Sequence, residues 1–231
     1  MNKMICIGHR GASGYSPENT LKSFAMAIEM GCTWIELDVY AVEGELIVIH
    51  DDDLKRTTNG RGKVMETSLA KLRELDAGEG QQIPLLREVI EMVDHRAVIN
   101  IELKGPETAM AVNSLLSTYC QQGWRAEEFF ISSFDHEELA LTDAQFRRGA
   151  LFGSKVNQAQ QRSLNLHAWS ANLSLRSVTP ALVDQLHAAD LKVLVYTVNK
   201  PQDIQLMMSM GVDGIFSDVP DVVFTELAGV E

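Results

Sequence analysis

Cysteine is scarce: Cys6, Cys32 and Cys120 are the whole complement in 231 residues. Odd in number, far apart and mostly in apolar surroundings, they fit reduced buried thiols rather than a disulfide frame or a zinc site. Basic residues are in deficit as well, 20 Lys and Arg against 32 Asp and Glu, a net charge of −12. Nucleic acid and anionic membrane surfaces would both be repelled, so neither is expected as a main partner. A small anion bridged by a cation is compatible with that field. No run of about 18 apolar residues occurs, so no stable membrane association is expected. Met1 to Gly8 is too short for a signal peptide, which sets the expectation of a soluble, cytoplasmic protein. Internal repeats and low-complexity segments are missing too, and the length suits one domain over residues 1–231 with a sizeable core.

What is present is alternation. Strand-like apolar runs recur at Met4 to Gly8, Trp34 to Tyr40, Val98 to Leu103, Phe129 to Ser132, Ala150 to Phe152, His167 to Ser170, Val193 to Val198 and Gly214 to Phe216. Helical patterns separate most of them, at Pro17 to Met30, Glu107 to Gln121, Glu137 to Gln145, Pro180 to Ala189, Pro201 to Met210 and near Val219 to Leu227. Eight strand and helix units predict an α/β fold, a (βα)8 barrel, with a doubly wound sheet as the alternative. A ninth run, Glu45 to His50, follows the turn signal Glu43-Gly44 and reads as a hairpin folding back on the second strand. Residues 44–80 are then an insertion over the barrel mouth, with His50 above the active face.

The polar residues on these strands carry chemistry. Ile35, Leu37 and Val39 alternate with Glu36, Asp38 and Tyr40, and Ile99, Ile101 and Leu103 with Asn100, Glu102 and Lys104. One face is therefore apolar and the other turns carboxylates into the barrel. Buried carboxylates each cost several kcal/mol unless compensated. A salt-bridge network with Arg10 and Lys104 is one solution, but two cations leave one of the three acids over. The other solution is a divalent cation on Glu36, Asp38 and Glu102, for which all-oxygen ligands suit magnesium, calcium or manganese and not zinc. His9 and His50 each follow a strand-like run and abut a motif residue, Arg10 or Asp51, and are candidates for general acid and base. His95, His136, His167 and His187 are read as structural. Arg10 offers a planar fork for phosphate oxygens. Pro17-Glu18-Asn19-Thr20 reads as a helix start with Pro at the first turn, and Glu18 and Asn19 are placed to orient His9 or Arg10.

Taken in order, His9-Arg10-Gly11, Pro17-Glu18-Asn19-Thr20, Glu36-x-Asp38, His50-Asp51-Asp52, Arg56-Thr57-Thr58-Asn59-Gly60, Ile83-Pro84-Leu85-Leu86, Glu102-x-Lys104, Ser132-Ser133-Phe134, Tyr196-Thr197-Val198-Asn199 and Gly211-Val212-Asp213-Gly214 resemble the glycerophosphodiester phosphodiesterases, cytoplasmic bacterial type. Each motif is weak alone, and their joint order is specific across nearly the whole chain. The resemblance implies a (βα)8 barrel with a small insertion after the second strand. It also implies hydrolysis of glycerophosphodiesters, such as glycerophosphocholine or glycerophosphoethanolamine, to glycerol 3-phosphate and an alcohol. By the family pattern Glu36, Asp38 and Glu102 match the ligands of one divalent cation, His9 and His50 the acid/base pair, and Arg10 and Lys104 the phosphate contacts. Analogy with related phospholipases makes His9 the base and His50 the acid. One departure stands out: Asp76-Ala77-Gly78 is followed only by the polar Glu79-Gly80-Gln81-Gln82 before Ile83, where many relatives carry aromatic residues. Rival readings are a lysophospholipase D, which calls for an apolar lip at the mouth, a catalytically silent phosphate-ligand-binding barrel, and a metal-dependent lyase or aldolase.

Overall fold

The computed structural model of the chain describes residues 4–229. Its first third runs β1 (Ile5–Gly8), α1 (Leu21–Glu29), β2 (Trp34–Val42), β3 (Glu45–Val48), α2 (Leu69–Glu74) and α3 (Leu86–Val93). Next come β4 (Val98–Leu103), α4 (Thr108–Gln121), β5 (Phe129–Ser133), α5 (His136–Ala140), β6 (Arg147–Phe152) and α6 (Ala159–Asn165). The last third holds β7 (Ser170–Ser174), α7 (Pro180–His187), β8 (Lys192–Tyr196), α8 (Pro201–Met210), β9 (Gly214–Ser217) and α9 (Pro220–Ala228). Eight of these strands are parallel and close into a ring in which β1 pairs with both β9 and β2. This is a (βα)8 barrel with one extra strand. The extra strand is β3, antiparallel to β2 with Val39 opposite Val48 and Val42 opposite Glu45. Glu43 and Gly44, at φ +50° and +84°, form the two-residue turn between them, both in the left-handed region that such hairpins require.

The alternation along β2 and β4 places the side chains. Ile35, Leu37, Val39, Ile99, Ile101 and Leu103 are buried against the surrounding helices, while Glu36, Asp38, Asn100 and Glu102 are buried inside the ring. The opposite, N-terminal end of the barrel is filled with aromatic rings. Trp34 stands 5.6 Å from Phe130 and 5.8 Å from Trp169, and the Arg147 guanidinium lies 5.3 Å and 5.2 Å from the two indoles. The stretch after β3 has a small apolar core of its own, in which Leu54, Val64, Leu72, Leu75 and Ile83 pack on Tyr40, Ile47 and Ile49. No helix among the described residues is long and apolar enough to cross a membrane.

Several elements differ from the sequence expectation. The helix expected from Pro17 opens at Leu21, because Asn19 sits at φ +57° and Thr20 is the N-cap, accepting from the Ser23 N–H. The strand expected at His167 to Ser170 lies further on, at Ser170–Ser174. His167 is at φ +49° and its N–H donates to the Leu164 carbonyl, so residues 167–169 form the turn that ends α6. Strand β6 begins three residues earlier than expected, since Arg147 and Arg148 look like a break in sequence but find partners in the fold. Helices α2, α3 and α6 were not expected. In α3, Leu86, Val89, Ile90 and Val93 are buried on one face at helical spacing.

Candidate active site

Side chains from β2 and β4 meet at the C-terminal end of the barrel. Asp38 stands opposite Glu102 and Glu36 opposite Asn100 in the strand register. One carboxylate oxygen each of Glu36, Asp38 and Glu102 lies within 4.8 Å of the others. Their compensation is unequal. Asp38 has Arg10 Nε at 3.4 Å, Lys104 Nζ at 3.0 Å and the Asn19 amide donating at 2.8 Å. Glu102 pairs with Lys104. Among the described residues Glu36 has only the backbone N–H of Arg10, donating at 2.9 Å, and no cationic side chain within ion-pair distance. Burial raises all three carboxyls, but Lys104 and Arg10 bring Asp38 down to about 2. Glu102 is pushed up to about 7 by burial and by Asp38, with Lys104 opposing. Glu36 is raised well above the carboxylate range by burial, Asp38 and Glu102. Two cations and three acids leave one acid over, and that acid is Glu36. Asp38 Oδ1 is buried and faces Lys104 Nζ at 3.0 Å. The donor set fits a hard divalent cation.

Each imidazole is backed by a carboxylate. His9 follows β1, and its Nδ1 lies 2.6 Å from Asp218 Oδ1, just beyond β9. Asp218 also accepts from Ser13 Oγ at 2.9 Å and Asn199 Nδ2 at 2.5 Å. Burial would raise it, but the bond to His9 leads the contacts that hold it at about 2. An ionised Asp218 accepts the Nδ1 proton of His9 and leaves Nε2 of the neutral ring bare. His50 follows β3, with Nδ1 2.6 Å from Asp51 Oδ1. Burial, then Lys104 and Arg10, hold His50 below the ordinary imidazole range against the pull of Asp38 and Asp51.

A chain of charges joins the segment after β3 to the barrel. Arg56 donates to Asp51 through Nε at 2.6 Å and Nη2 at 2.9 Å, and to Glu18 through Nη1 at 2.7 Å and Nη2 at 2.8 Å. Glu18 in turn accepts from Arg10 Nη1 at 2.7 Å. Arg56 thus fixes the two carboxylates that aim His50 and Arg10. Although it is an exposed pair of the kind that adds little stability, Arg56→Ala is expected to lower kcat/KM by about 10-fold through this orientation. Steady-state kinetics beside a melting curve tests it; wild-type kinetics would disconnect the bridge from the site.

These groups surround a cavity of about 290 Å³. One half is polar, with His9, Arg10, Glu36, His50, Glu102 and Lys104; Asn100 and Ser132 also line it. The other half is apolar, with Phe134, Leu151, Tyr196 and Phe216. Asp38, fully buried, sits behind the wall. Three of the other histidines are engaged elsewhere, His95 with Glu128, His136 with the Leu151 carbonyl and Arg162, and His187 with Asp213, while His167 lies in the turn after α6. Of the residues expected to orient His9 or Arg10, Glu18 holds Arg10, whereas Asn19 holds Asp38. Asp218 is missing from the sequence reading. Its signal is an acid directly after a barrel strand, where barrels place functional groups.

The model of the glycerophosphoryl diester phosphodiesterase family matches residues 9–222. A glycerophosphodiester phosphodiesterase of Caldanaerobacter subterraneus subsp. tengcongensis is 33% identical, the match covering 96% of each chain. One from Bacillus altitudinis is 34% identical over 92% of this chain and 94% of its own. Among solved structures, an Oleispira antarctica phosphodiesterase in complex with the product sn-glycerol-3-phosphate superposes with a TM-score of 0.90 at 31% identity, covering 98% of this chain and 97% of that one.

Proposed function

The chain belongs to the glycerophosphoryl diester phosphodiesterase family, and from that premise we propose that it is a single catalytic domain hydrolysing deacylated glycerophosphodiesters, such as glycerophosphocholine and glycerophosphoethanolamine, with one divalent cation and a His9/His50 acid–base pair. The observation that carries this reading is the convergence of three carboxylates, two carboxylate-backed imidazoles and two cations on one cavity. Glu36, Asp38 and Glu102 would hold the cation, which would supply Lewis-acid polarisation of the phosphate. Arg10 and Lys104 face the same phosphate and neutralise charge as it develops on the oxygens. His9 Nε2 takes the proton from the nucleophile, either water or the glycerol hydroxyl next to the phosphoester; in the second case water then opens the cyclic phosphate that forms as the alcohol leaves. The ionised Asp218 at Nδ1 favours the imidazolium that results, as in other carboxylate–imidazole pairs. His50 hands its proton to the departing alkoxide. Its lowered pKa makes the protonated ring a stronger acid than an ordinary imidazolium.

Asp218→Asn separates orientation from charge. The amide still fits the space but no longer favours the charged ring, so kcat is expected to fall by about 100-fold with KM nearly unchanged. A proportionate rise in KM would instead make Asp218 a binding residue. The reading as a whole is tested by release of glycerol 3-phosphate from glycerophosphocholine by chelator-treated protein, before and after magnesium, calcium or manganese, with Glu36→Ala as control. Cation-restored release that the control lacks is the expected result; lysophospholipids, run alongside, are expected to be poor substrates. The one exposed side chain lining the cavity is Phe134, too small an apolar lip for an acyl chain.

A further inference from the structure

Opposite Glu36 in the strand register stands a buried side chain that the proposed reaction does not use. Asn100 is 1% exposed and lines the cavity, yet its Nδ2 has no hydrogen-bond partner. A buried donor without a partner is costly, so such a group is retained where a ligand completes it. The orientation of the amide is fixed from the neighbouring strand. Ser132 Oγ, 1% exposed itself, donates to Asn100 Oδ1 at 2.9 Å, which turns the NH2 group away from Ser132. Asn172 carries the same lock, accepting from Ser170 Oγ at 2.6 Å. Its free nitrogen packs beside Gly149, where an added Cβ would stand only 2.8 Å away, and it does not line the cavity. Of two equivalent amides, one meets the cavity and one does not.

We propose that Asn100 is a specificity-determining residue whose amide nitrogen receives the distal hydroxyl of the glycerol half of the substrate; this rests on the phosphodiesterase reading above. Asn100 is two residues before Glu102 on the same face of β4, roughly 6.5 Å along the strand, and lies opposite Glu36 in the strand register, level with the innermost of the three carboxylates. Arg10, Lys104 and both imidazoles stand at strand ends, so the phosphate lies towards them and the part of the substrate that reaches Asn100, beside Glu36, is the glycerol carbon chain. A neutral N–H suits an uncharged hydroxyl oxygen better than a phosphate, for which charged donors are already present. A fixed, buried donor also matches the half of the substrate that is the same in every glycerophosphodiester. The variable alcohol is left to the open mouth and Phe134.

The test compares glycerophosphoethanolamine with the analogue that has hydrogen in place of the distal hydroxyl and keeps the hydroxyl next to the phosphoester. Both are assayed under the same cation, with magnesium, calcium and manganese taken in turn. Wild-type protein is expected to prefer the natural substrate by about 10- to 100-fold in kcat/KM, because the analogue leaves the amide unpaired. Asn100→Ala is expected to bring the ratio within about 3-fold, with most of the change in the natural substrate, and Asn172→Ala to keep the wild-type ratio. Ser132→Ala, which frees the amide to rotate, is expected to fall between them and serves if Asn100→Ala does not fold. A wild-type ratio near one, or a full ratio retained in both the Asn100 and Ser132 variants, overturns the proposal. Wild-type protein inert on both compounds under every cation overturns the phosphodiesterase reading, and this proposal with it.

Discussion

His9→Ala is expected to lower turnover by about 100- to 10,000-fold while leaving the barrel folded. His9 follows β1 at the mouth, and its side chain bonds Asp218 rather than any core group, so its loss opens no apolar cavity. The effect therefore belongs to proton transfer. His50→Ala is expected to be similarly severe on natural substrates, and the choice of leaving group separates the two. A diester with p-nitrophenol as its alcohol needs no protonation on departure, so it should recover much of the activity of His50→Ala and little of that of His9→Ala. Recovery in the opposite pattern would exchange the roles. Near-native turnover of His9→Ala on glycerophosphocholine would remove that imidazole from the reaction.

Stripping the cation is expected to reduce activity by about 1,000-fold or more and also to change how stability depends on pH. Without a cation, Glu102 titrates at about 7, against an ordinary value of 4.5. The folded protein then keeps a proton that the unfolded chain has already released. Stability is fully present below the ordinary value and is lost as pH rises through about 7. Glu36, raised in the same direction, extends the loss to higher pH. The chelated protein should melt at a lower temperature at about pH 8 than at about pH 6. Added cation should raise the melting temperature most at the higher pH, because it replaces the protons and binds only the folded chain. Glu36→Ala should flatten both responses. A melting temperature indifferent to cation at both pH values would refute the carboxylate site independently of any assay.

The strands that carry the carboxylates were the most legible part of the sequence, and the reason is mechanical. From Ile35 to Val39 in β2 and from Ile99 to Leu103 in β4 every second residue is a large aliphatic facing the helices, so polar residues in between have one direction left to point. Strand β7 was misplaced by the opposite circumstance. Its small and polar Ser170, Asn172 and Ser174 look like a loop, while Ala168 and Trp169 before it look like a strand. Helices α3 and α6 escaped notice because α3 follows a long polar stretch and α6 is short and mostly polar on its exposed side. Of the seven candidate site residues, six line one cavity and Asp38 lies directly behind it. Asp218 was invisible for want of proximity: it stands 209 positions from His9, and only closure of β9 against β1 brings the two together. The Arg56 bridge and the free amide of Asn100 depend on side-chain directions that no spacing rule encodes.

The aromatic packing at the far end of the barrel makes the cavity a blind alley. Trp34, Trp169 and Phe130, with Arg147 laid against the two indoles, stop any passage through the ring. Both halves of a cleaved diester must leave through the opening by which it entered. With the glycerol half seated against Asn100 as proposed, the free alcohol would be the outer product and depart first. The phosphorylated glycerol would stay until the opening clears. On that seating the shape of the vessel alone orders release, and the last product to leave would occupy the same space as the next substrate to arrive.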